Sequence, residues 1–173
     1  MELFWGTSTQ NKSPEFTMPL PLQKRRILIA DDEEMVRLIL RTILSHAGFE
    51  VVEAANGEEA IAQHSMARQS FSVVVMDMQM PTLNGMEAMK RILSKDATVQ
   101  GILLSGGLSN LQEAAPPEFE RVRFLHKPFD NHELVQTVVQ LIYITEGLEI
   151  PAKRRPVSGK VQFKSTSRVP PPG

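Results

Sequence analysis

Short apolar runs and longer amphipathic segments alternate from residue 25 to residue 147, and this alternation constrains the fold more than any other feature of the sequence. Runs rich in Val, Ile and Leu predict five buried strands, at 25–30, 49–54, 71–76, 99–105 and 122–126. Segments with helical periodicity predict four helices, at 33–48, 58–68, 85–96 and from an Asp130 cap to Gly147. Strands that alternate with helices form a parallel sheet covered on both faces. The sequence therefore predicts an α/β domain built on a doubly wound, five-stranded parallel sheet.

The flanks of this patterned region differ from it in composition and charge. Residues 1–23 are polar, contain three prolines and show no periodicity, so we expect a disordered leader, in which "SPEF" before Met18 resembles a vector-derived linker. Residues 149–173 predict a basic, Pro-rich tail, because 151–173 contains six basic residues and no acidic one. Between 22 and 150 there are 18 acidic and 12 basic residues. These shifts predict one folded domain at 24–148.

Three absences narrow the class of protein. The chain has no Cys, which excludes a disulfide framework, a thiolate metal site and a Cys nucleophile. No run of about 18 apolar residues occurs, so no membrane span is predicted. The first residues lack the basic start and apolar centre of a signal peptide. We therefore expect a cytoplasmic protein.

Polar residues stand at the carboxyl ends of four of the five predicted strands. Asp31 and Asp32 follow the first strand, Asp77 the third, Ser105 ends the fourth, and Lys127 follows the fifth. Doubly wound sheets keep their functional sites at the carboxyl edge of the strands. These five side chains are therefore predicted to converge on one rim.

The chemistry of that rim follows from its charges. Three carboxylates that crowd together repel one another, so either a pKa rises or a cation joins them. Oxygen ligands without Cys or a His cluster indicate Mg²⁺, which is commonly completed by phosphate oxygens. A carboxylate can act as the nucleophile in phosphoryl transfer, and Asp77, alone at the centre of the sheet, is the candidate. Lys127 would offer a positive charge and Ser105 a hydroxyl donor to the phosphoryl oxygens.

Each residue taken alone has a simpler interpretation. Asp31 and Asp32 would more often cap the first helix, and Asp77 would end a strand in a turn. Ser105 would belong to a Gly-rich loop, and Lys127 to a turn before proline. Their joint occurrence at four strand ends favours a site. The four His residues share no spacing and are expected to be structural or exposed.

The motifs as a set resemble the receiver domain of two-component response regulators. The similarity rests on Asp31-Asp32, on "MDMQMPTLNG" around Asp77, on Ser105 and on "HKPF" around Lys127, and it covers about residues 25–147. It implies a flavodoxin-like strand order 2-1-3-4-5. It also implies a phosphorylation-controlled, stand-alone signalling module, similar to chemotaxis regulators, that is not an enzyme in the usual sense.

The resemblance further implies roles for individual residues. Asp77 would accept a phosphoryl group from a histidine kinase or a His-phosphotransfer protein. Asp32 and Asp77, with the backbone carbonyl of Gln79, would hold Mg²⁺, and Asp31 would act through a water. Lys127 would pair with the phosphate, and the peptide bond between it and Pro128 would be cis.

Two more residues would convert phosphorylation into a change of shape. By the same resemblance, Ser105 would turn towards the phosphoryl group, and Phe124 would rotate inward with it. Such a change is a population shift between two packings, and it would alter the binding of a downstream partner protein.

Two segments depart from the receiver pattern. Gly106-Gly107 and Pro116-Pro117 bracket the place of the fourth helix, so a short or irregular helix of at most two turns is predicted there. The last helix is apolar around most of its circumference, which suggests an extra contact surface and a homodimer. The residues responsible are Leu134, Val135, Val138, Val139, Leu141, Ile142 and Ile144.

Other functions remain open at this point. The chain could be the receiver part of a longer regulator or of a hybrid histidine kinase. An Asp-nucleophile phosphohydrolase would need a second Asp two residues after Asp77, where Gln79 stands. A flavin or nucleotide binder would need a Gly-, Ser- or Thr-rich loop where "DDEE" stands. The basic tail is typical of a solvated linker, so neither nucleic-acid nor membrane binding is expected.

Overall fold

The computed structural model describes residues 24–107 and 116–147. Its strands are β1 (Arg26–Ala30), β2 (Glu50–Ala54), β3 (Val73–Asp77), β4 (Gln100–Ser105) and β5 (Val122–His126). Its α-helices are α1 (Glu34–His46), α2 (Gly57–Met66), α3 (Gly85–Lys95) and α4 (Asn131–Thr145), and a 3₁₀ turn spans Pro117–Phe119. The predicted leader 1–23 and tail 149–173 lie outside the described residues.

All five strands are parallel and lie in the order β2-β1-β3-β4-β5. The central strand β3 pairs with β1 through Ile27↔Val73 and with β4 through Val73↔Gln100. Because the strands run the same way, their carboxyl ends lie along a single edge of the sheet. The predicted doubly wound fold and its strand order are confirmed.

The sheet is buried on both faces, which explains why its strands are apolar runs without polar alternation. Every residue of β3 and of β4 is buried. Side chains at alternate positions point to opposite faces and so divide into two clusters. One face packs against α1 and α4 through Ile27, Ile29, Val73, Val75, Ile102 and Leu104. The other face packs against α2 and α3 through Leu28, Ala30, Val74, Met76 and Leu103.

Three of the four helices begin with a side-chain cap. Asn56, Asn84 and Asp130 each accept a hydrogen bond from the backbone N–H three residues later, at 2.8, 2.9 and 2.6 Å. The predicted Asp130 cap is therefore present. Helix α1 differs, because its N-cap residue Glu33 makes no side-chain capping bond. At its other end Gly48 has a φ of 93°, in agreement with the predicted stop.

Helix α4 corrects the expectation of an extra apolar surface. Five of the seven apolar residues that suggested a homodimer are buried within the domain, and Val135 is half-buried. Ile144 is exposed, at 52%. The apolar circumference is thus covered by the sheet and by α1. The prediction of an extra apolar surface was wrong, because hydrophobic periodicity does not show how deeply a helix sits in its own domain. The homodimer itself stays a prediction.

The structure describes only the two ends of the connection between β4 and β5, for which a short or irregular fourth helix was predicted. Residues 108–115, where that helix would lie, fall outside the described residues. The described end of the connection forms the 3₁₀ turn, from which Phe119 packs into the core. None of the helices in the described ranges is long and apolar enough to cross a membrane.

Candidate functional site

Lys127 joins two carboxylates at the carboxyl edge of the sheet. Its ammonium Nζ donates to Asp77 Oδ1 at 2.6 Å and to Asp31 Oδ2 at 3.1 Å. Asp31 follows β1, Asp77 ends β3, and Lys127 follows β5. Three of the residues singled out from the sequence therefore meet, although they are up to 96 positions apart.

The second oxygen of each carboxylate is held by the backbone. Asp77 Oδ2 accepts from the N–H of Gln79 at 2.6 Å, and Asp31 Oδ1 accepts from the N–H of Glu33 at 2.9 Å. Asp31 is 1% exposed and Asp77 is 7% exposed. The bond to Glu33 gives Asp31 some of the cap-like role that the simpler interpretation assigned to it. Both carboxylates are therefore fixed on two sides before any ligand arrives.

The pKa values at this edge reflect burial and ion pairing together. Burial raises the pKa of the Asp31 carboxyl above 3.8, although the Glu33 N–H and Lys127 oppose the rise. Burial alone would lower the pKa of Lys127, but its hydrogen bonds to Asp77 and Asp31, together with the attraction of their negative charges, outweigh burial and raise it above 10.5. The two directions are compatible because the Lys127 side chain is 28% exposed and keeps part of its hydration, while Asp31 keeps almost none. The two carboxylates therefore favour the charged form of Lys127.

Asp32 and Gln79 lie at the rim and are exposed. Within the described residues no hydrogen bond or ion pair engages the carboxylate of Asp32. Its backbone carbonyl, in contrast, accepts a hydrogen bond from Arg37. Asp32 is thus available to a ligand from solvent, and it differs in this from the buried Asp31.

The side chains of Ser105 and Phe124 contact residues other than Asp77. Ser105 is buried, and its hydroxyl donates to the carbonyl of Gly107 at 2.6 Å. Phe124 is half-buried, and its ring meets Phe119 edge to face at 6.4 Å between centroids and 76° between planes. The peptide bond between Lys127 and Pro128 is cis, as the resemblance implied.

Two further residues support the site: Arg37 was not singled out from the sequence, and Gly85 was noted only as part of the motif around Asp77. Arg37 Nη1 donates to the carbonyl of Asp31 at 2.7 Å and to that of Asp32 at 3.2 Å. Gly85 packs so tightly that a Cβ there would lie 1.9 Å from the carbonyl oxygen of Asp77. The Asn84-Gly85 turn was a visible signal for the second, whereas a lone Arg on a predicted helix gives none.

The carboxylate oxygens at the rim are ligands of the kind that Mg²⁺ prefers. Among the described residues no group of three or more His, Asp and Glu side chains is arranged to hold a metal. Mg²⁺, however, usually binds through one or two carboxylates and retains several waters. Asp31 and Asp77 contact one ammonium, and exposed Asp32 is adjacent in sequence. The oxygen donors present therefore fit a hydrated Mg²⁺.

A family model for the response regulator receiver domain matches residues 27–139. The chain belongs to the response regulator receiver family. The strongest prediction from the sequence is therefore confirmed: the chain is a receiver domain of two-component systems. The matched residues include all seven that were given roles at the rim and in the switch.

Individual relatives agree with this assignment. The receiver is 31% identical over 115 residues to the chemotaxis protein CheY of Thermotoga maritima, and the match covers 66% of this chain and 94% of that protein. It is 37% identical over 114 residues to the probable transcriptional regulator ycf27 of Porphyridium aerugineum, with 65% of this chain and 46% of the relative covered. The receiver thus spans about half the length of such regulators and nearly all of the chemotaxis protein.

Solved structures show the same fold. A receiver domain protein from Clostridium thermocellum superposes with a TM-score of 0.65 at 27% identity, covering 72% of this chain and 99% of that one. The response regulator TrrA of Thermotoga maritima, solved in complex with Mg²⁺ and BeF, gives a TM-score of 0.60 at 30% identity and covers 68% and 98%.

Proposed function

We propose that Asp77 accepts a phosphoryl group from a phosphohistidine on a histidine kinase or a His-phosphotransfer protein. The observation that carries this proposal is the contact of its carboxylate with the Lys127 ammonium at 2.6 Å, at the end of the central strand. Asp77 is the last residue of β3, the central strand of the sheet, which is paired with β1 and with β4. A nucleophile in that position is held by the most rigid part of the sheet.

The transfer can be written with its bonds balanced. A carboxylate oxygen of Asp77 attacks phosphorus, an O–P bond forms, and the N–P bond to the donor imidazole breaks. The imidazole keeps the electron pair and takes a proton from solvent. Lys127 stays beside the acceptor and offsets the negative charge that arrives with the phosphoryl oxygens. Hydrolysis of the acyl phosphate then restores the carboxylate.

The cation expected in this site is Mg²⁺. Asp32, Asp77 and the backbone carbonyl of Gln79 would hold it, and Asp31 would act through a water. When bound, Mg²⁺ supplies positive charge to the phosphoryl oxygens. The raised pKa of Asp31 supports this assignment, because a buried carboxylate gains from an added positive charge.

Ser105 and Phe124 would carry the signal outward. The hydroxyl of Ser105 would leave the Gly107 carbonyl and donate to a phosphoryl oxygen, and the ring of Phe124 would move inward. This rearrangement would change which partner protein binds. The contact between Phe124 and Phe119 links the switch to the 3₁₀ turn before β5.

The receiver would act as a signalling module in the cytoplasm rather than as a substrate-processing enzyme. It would work as a separate protein, as the match to nearly all of the chemotaxis protein CheY supports. The alternative is a part of a longer regulator or hybrid kinase. That alternative is supported by a match of 91 residues to the CAI-1 autoinducer sensor kinase/phosphatase CqsS of Vibrio cholerae, of which the receiver covers 13%.

The decisive experiment is phosphorylation by a small donor. The protein is incubated with acetyl phosphate and Mg²⁺, and its intact mass is measured. One added phosphoryl group is expected in the wild type and none in Asp77→Asn. Asp130→Asn is the matched control, because Asn caps a helix as well as Asp does and the residue lies outside the site.

Two results would contradict the proposal. A phosphoryl group that persists in Asp77→Asn would place the acceptor elsewhere. Multiple turnover of a phosphate ester without accumulation of the phosphorylated protein would favour a phosphohydrolase instead.

A further inference from the structure

The side chain of Arg37 reaches back from α1 to the turn that carries both acidic residues. The first backbone bond of the helix runs from the N–H of Arg37 to the carbonyl of Glu33 at 3.1 Å. The carbonyls of Asp31 and Asp32 precede that point, so the helix offers them no N–H donor. Arg37 Nη1 supplies the missing donor to both, at 2.7 and 3.2 Å.

Neighbouring elements hold Arg37 and the turn in place. Arg37 Nε lies 3.9 Å from Glu53 Oε2 on β2, and the other oxygen of Glu53 pairs with Arg41 at 2.9 Å. The N–H of Asp31 donates to the carbonyl of Ala54, at the end of β2. The side chain of Arg37 is 16% exposed, whereas that of Arg41 is 50% exposed. The half-buried side chain of Arg37 therefore supports the turn, whereas Arg41 is a surface partner of the same carboxylate.

We infer that Arg37 is a positioning residue for the cation pocket, an inference that rests on the proposed Mg²⁺ site. By holding two successive carbonyls, Arg37 fixes the peptide planes of the turn and so the direction in which Asp31 and Asp32 leave the backbone. Without it, the carbonyl of almost fully buried Asp31 loses a charge-assisted hydrogen bond. The turn then relaxes towards water, and the two carboxylates no longer meet the cation together.

The positive charge of Arg37 and its positioning of the turn have opposite effects on the affinity for Mg²⁺, which makes the inference testable. A guanidinium beside an acidic pocket repels a divalent cation, so removing its charge alone would tighten Mg²⁺ binding. Removing a residue that orients the ligands would weaken binding, commonly by about tenfold or more. The sign of the change in the Mg²⁺ dissociation constant therefore distinguishes a positioning role from a purely electrostatic one.

The experiment measures Mg²⁺ binding by titration, without any phosphodonor. Arg37→Gln is expected to raise the Mg²⁺ dissociation constant about tenfold. Arg37→Lys keeps the charge and part of the donor capacity, so an intermediate increase is expected. Arg41→Gln is the matched control, because it removes a partner of Glu53 but touches neither carbonyl. It should leave the dissociation constant unchanged or slightly lower.

The outcomes separate this inference from the proposed function. Arg37→Gln that binds Mg²⁺ as well as the wild type or more tightly overturns the positioning role, while the site itself stands. A wild type that binds no Mg²⁺ contradicts the proposed cation site instead. Thermal unfolding without Mg²⁺ shows whether each variant is folded. If Arg37→Gln does not fold, the Mg²⁺ dissociation constant of Arg37→Lys, which retains the aliphatic part of the side chain and the charge, is compared with that of the wild type.

Discussion

At the scale of single residues, the site depends on one cation placed between two buried carboxylates. Lys127 contacts Asp77 and Asp31, and each carboxylate has its other oxygen on a backbone N–H. A buried carboxylate that loses its partner becomes an uncompensated charge. Lys127 is therefore a structural residue of the resting domain as well as a proposed participant in phosphoryl transfer.

Replacing Lys127 by Met should destabilise the domain in a pH-dependent way. At pH 7 we expect a loss of about 2 kcal/mol in the free energy of unfolding, below the value for a fully buried pair because the ammonium is partly hydrated. Burial already raises the pKa of Asp31, and without Lys127 it should rise further. The folded variant then takes up a proton more readily than the unfolded chain, so its stability should recover as the pH falls through the raised pKa.

Urea unfolding at several pH values measures this effect. Lys90→Met is the control, because it breaks the exposed pair between Lys90 and Glu118 and should change little. In the wild type, the raised pKa of Lys127 gives a stabilisation that is complete below about pH 10.5 and is lost as the pH rises through the folded-state value. A Lys127→Met protein with wild-type stability and an unchanged pH slope would contradict the structural role.

At the scale of elements, the loop between β3 and α3 is fixed by a close backbone approach. The N–H of Gly85 donates to the carbonyl of Met78 at 3.0 Å, and Asn84 caps α3. Thr82 in the same loop has a φ of 65°, which is unusual for a β-branched residue. The loop therefore brings the start of α3 against the end of the strand that carries Asp77.

Gly85→Ala should destabilise the domain strongly for this reason. The added Cβ would lie 1.9 Å from the carbonyl of Asp77, and backbone must move to relieve the overlap. We expect a loss of about 3 kcal/mol in the free energy of unfolding. Gly106→Ala is the control, since among the described residues a Cβ there would have no neighbour within 4 Å. Equal unfolding midpoints for the two variants in urea would show that the loop adapts without cost.

Much of the element pattern could be predicted because it depends on neighbours in sequence. The runs that became β1 to β5 were visible as apolar segments, and Asp130 and Gly48 marked helix ends by local chemistry. Arg37 could not be assigned a role, because its contact with the acidic turn depends on how α1 lies against the end of β2. The same reason explains the error on α4, whose apolar residues are covered by the packing of the domain.

At the scale of the whole molecule, the rim exists because the strand order places β1, β3 and β5 around one edge. Asp31, Asp77 and Lys127 could be grouped from the sequence, since a doubly wound sheet aligns the carboxyl ends of its strands. The resemblance supplied the roles of Gln79 and Phe124, which no charge argument would have found. The individual hydrogen bonds within the rim could not be predicted from the sequence, because they depend on which carboxylate oxygen faces which donor.

The expected domain limits can be tested by truncation. A chain of residues 24–148 should unfold at the same temperature as the full chain and should be phosphorylated equally, because the core elements lie between these limits. A chain of residues 24–139, near the end of the family match, should lose cooperative unfolding, because it removes three buried core residues, Leu141, Ile142 and Tyr143. Thermal melts followed by circular dichroism would measure both. Instability of the 24–148 chain would extend the folded unit beyond the predicted boundary.

The bridge from Lys127 to both carboxylates also bears on the order in which the receiver assembles. A pocket lined only by acids would need its divalent ion before the sheet could close. Here the chain carries its own positive charge, the ammonium of Lys127, at the end of the edge strand β5. The domain can therefore fold before the proposed Mg²⁺ binds, so that the ion would control phosphorylation without being needed for folding.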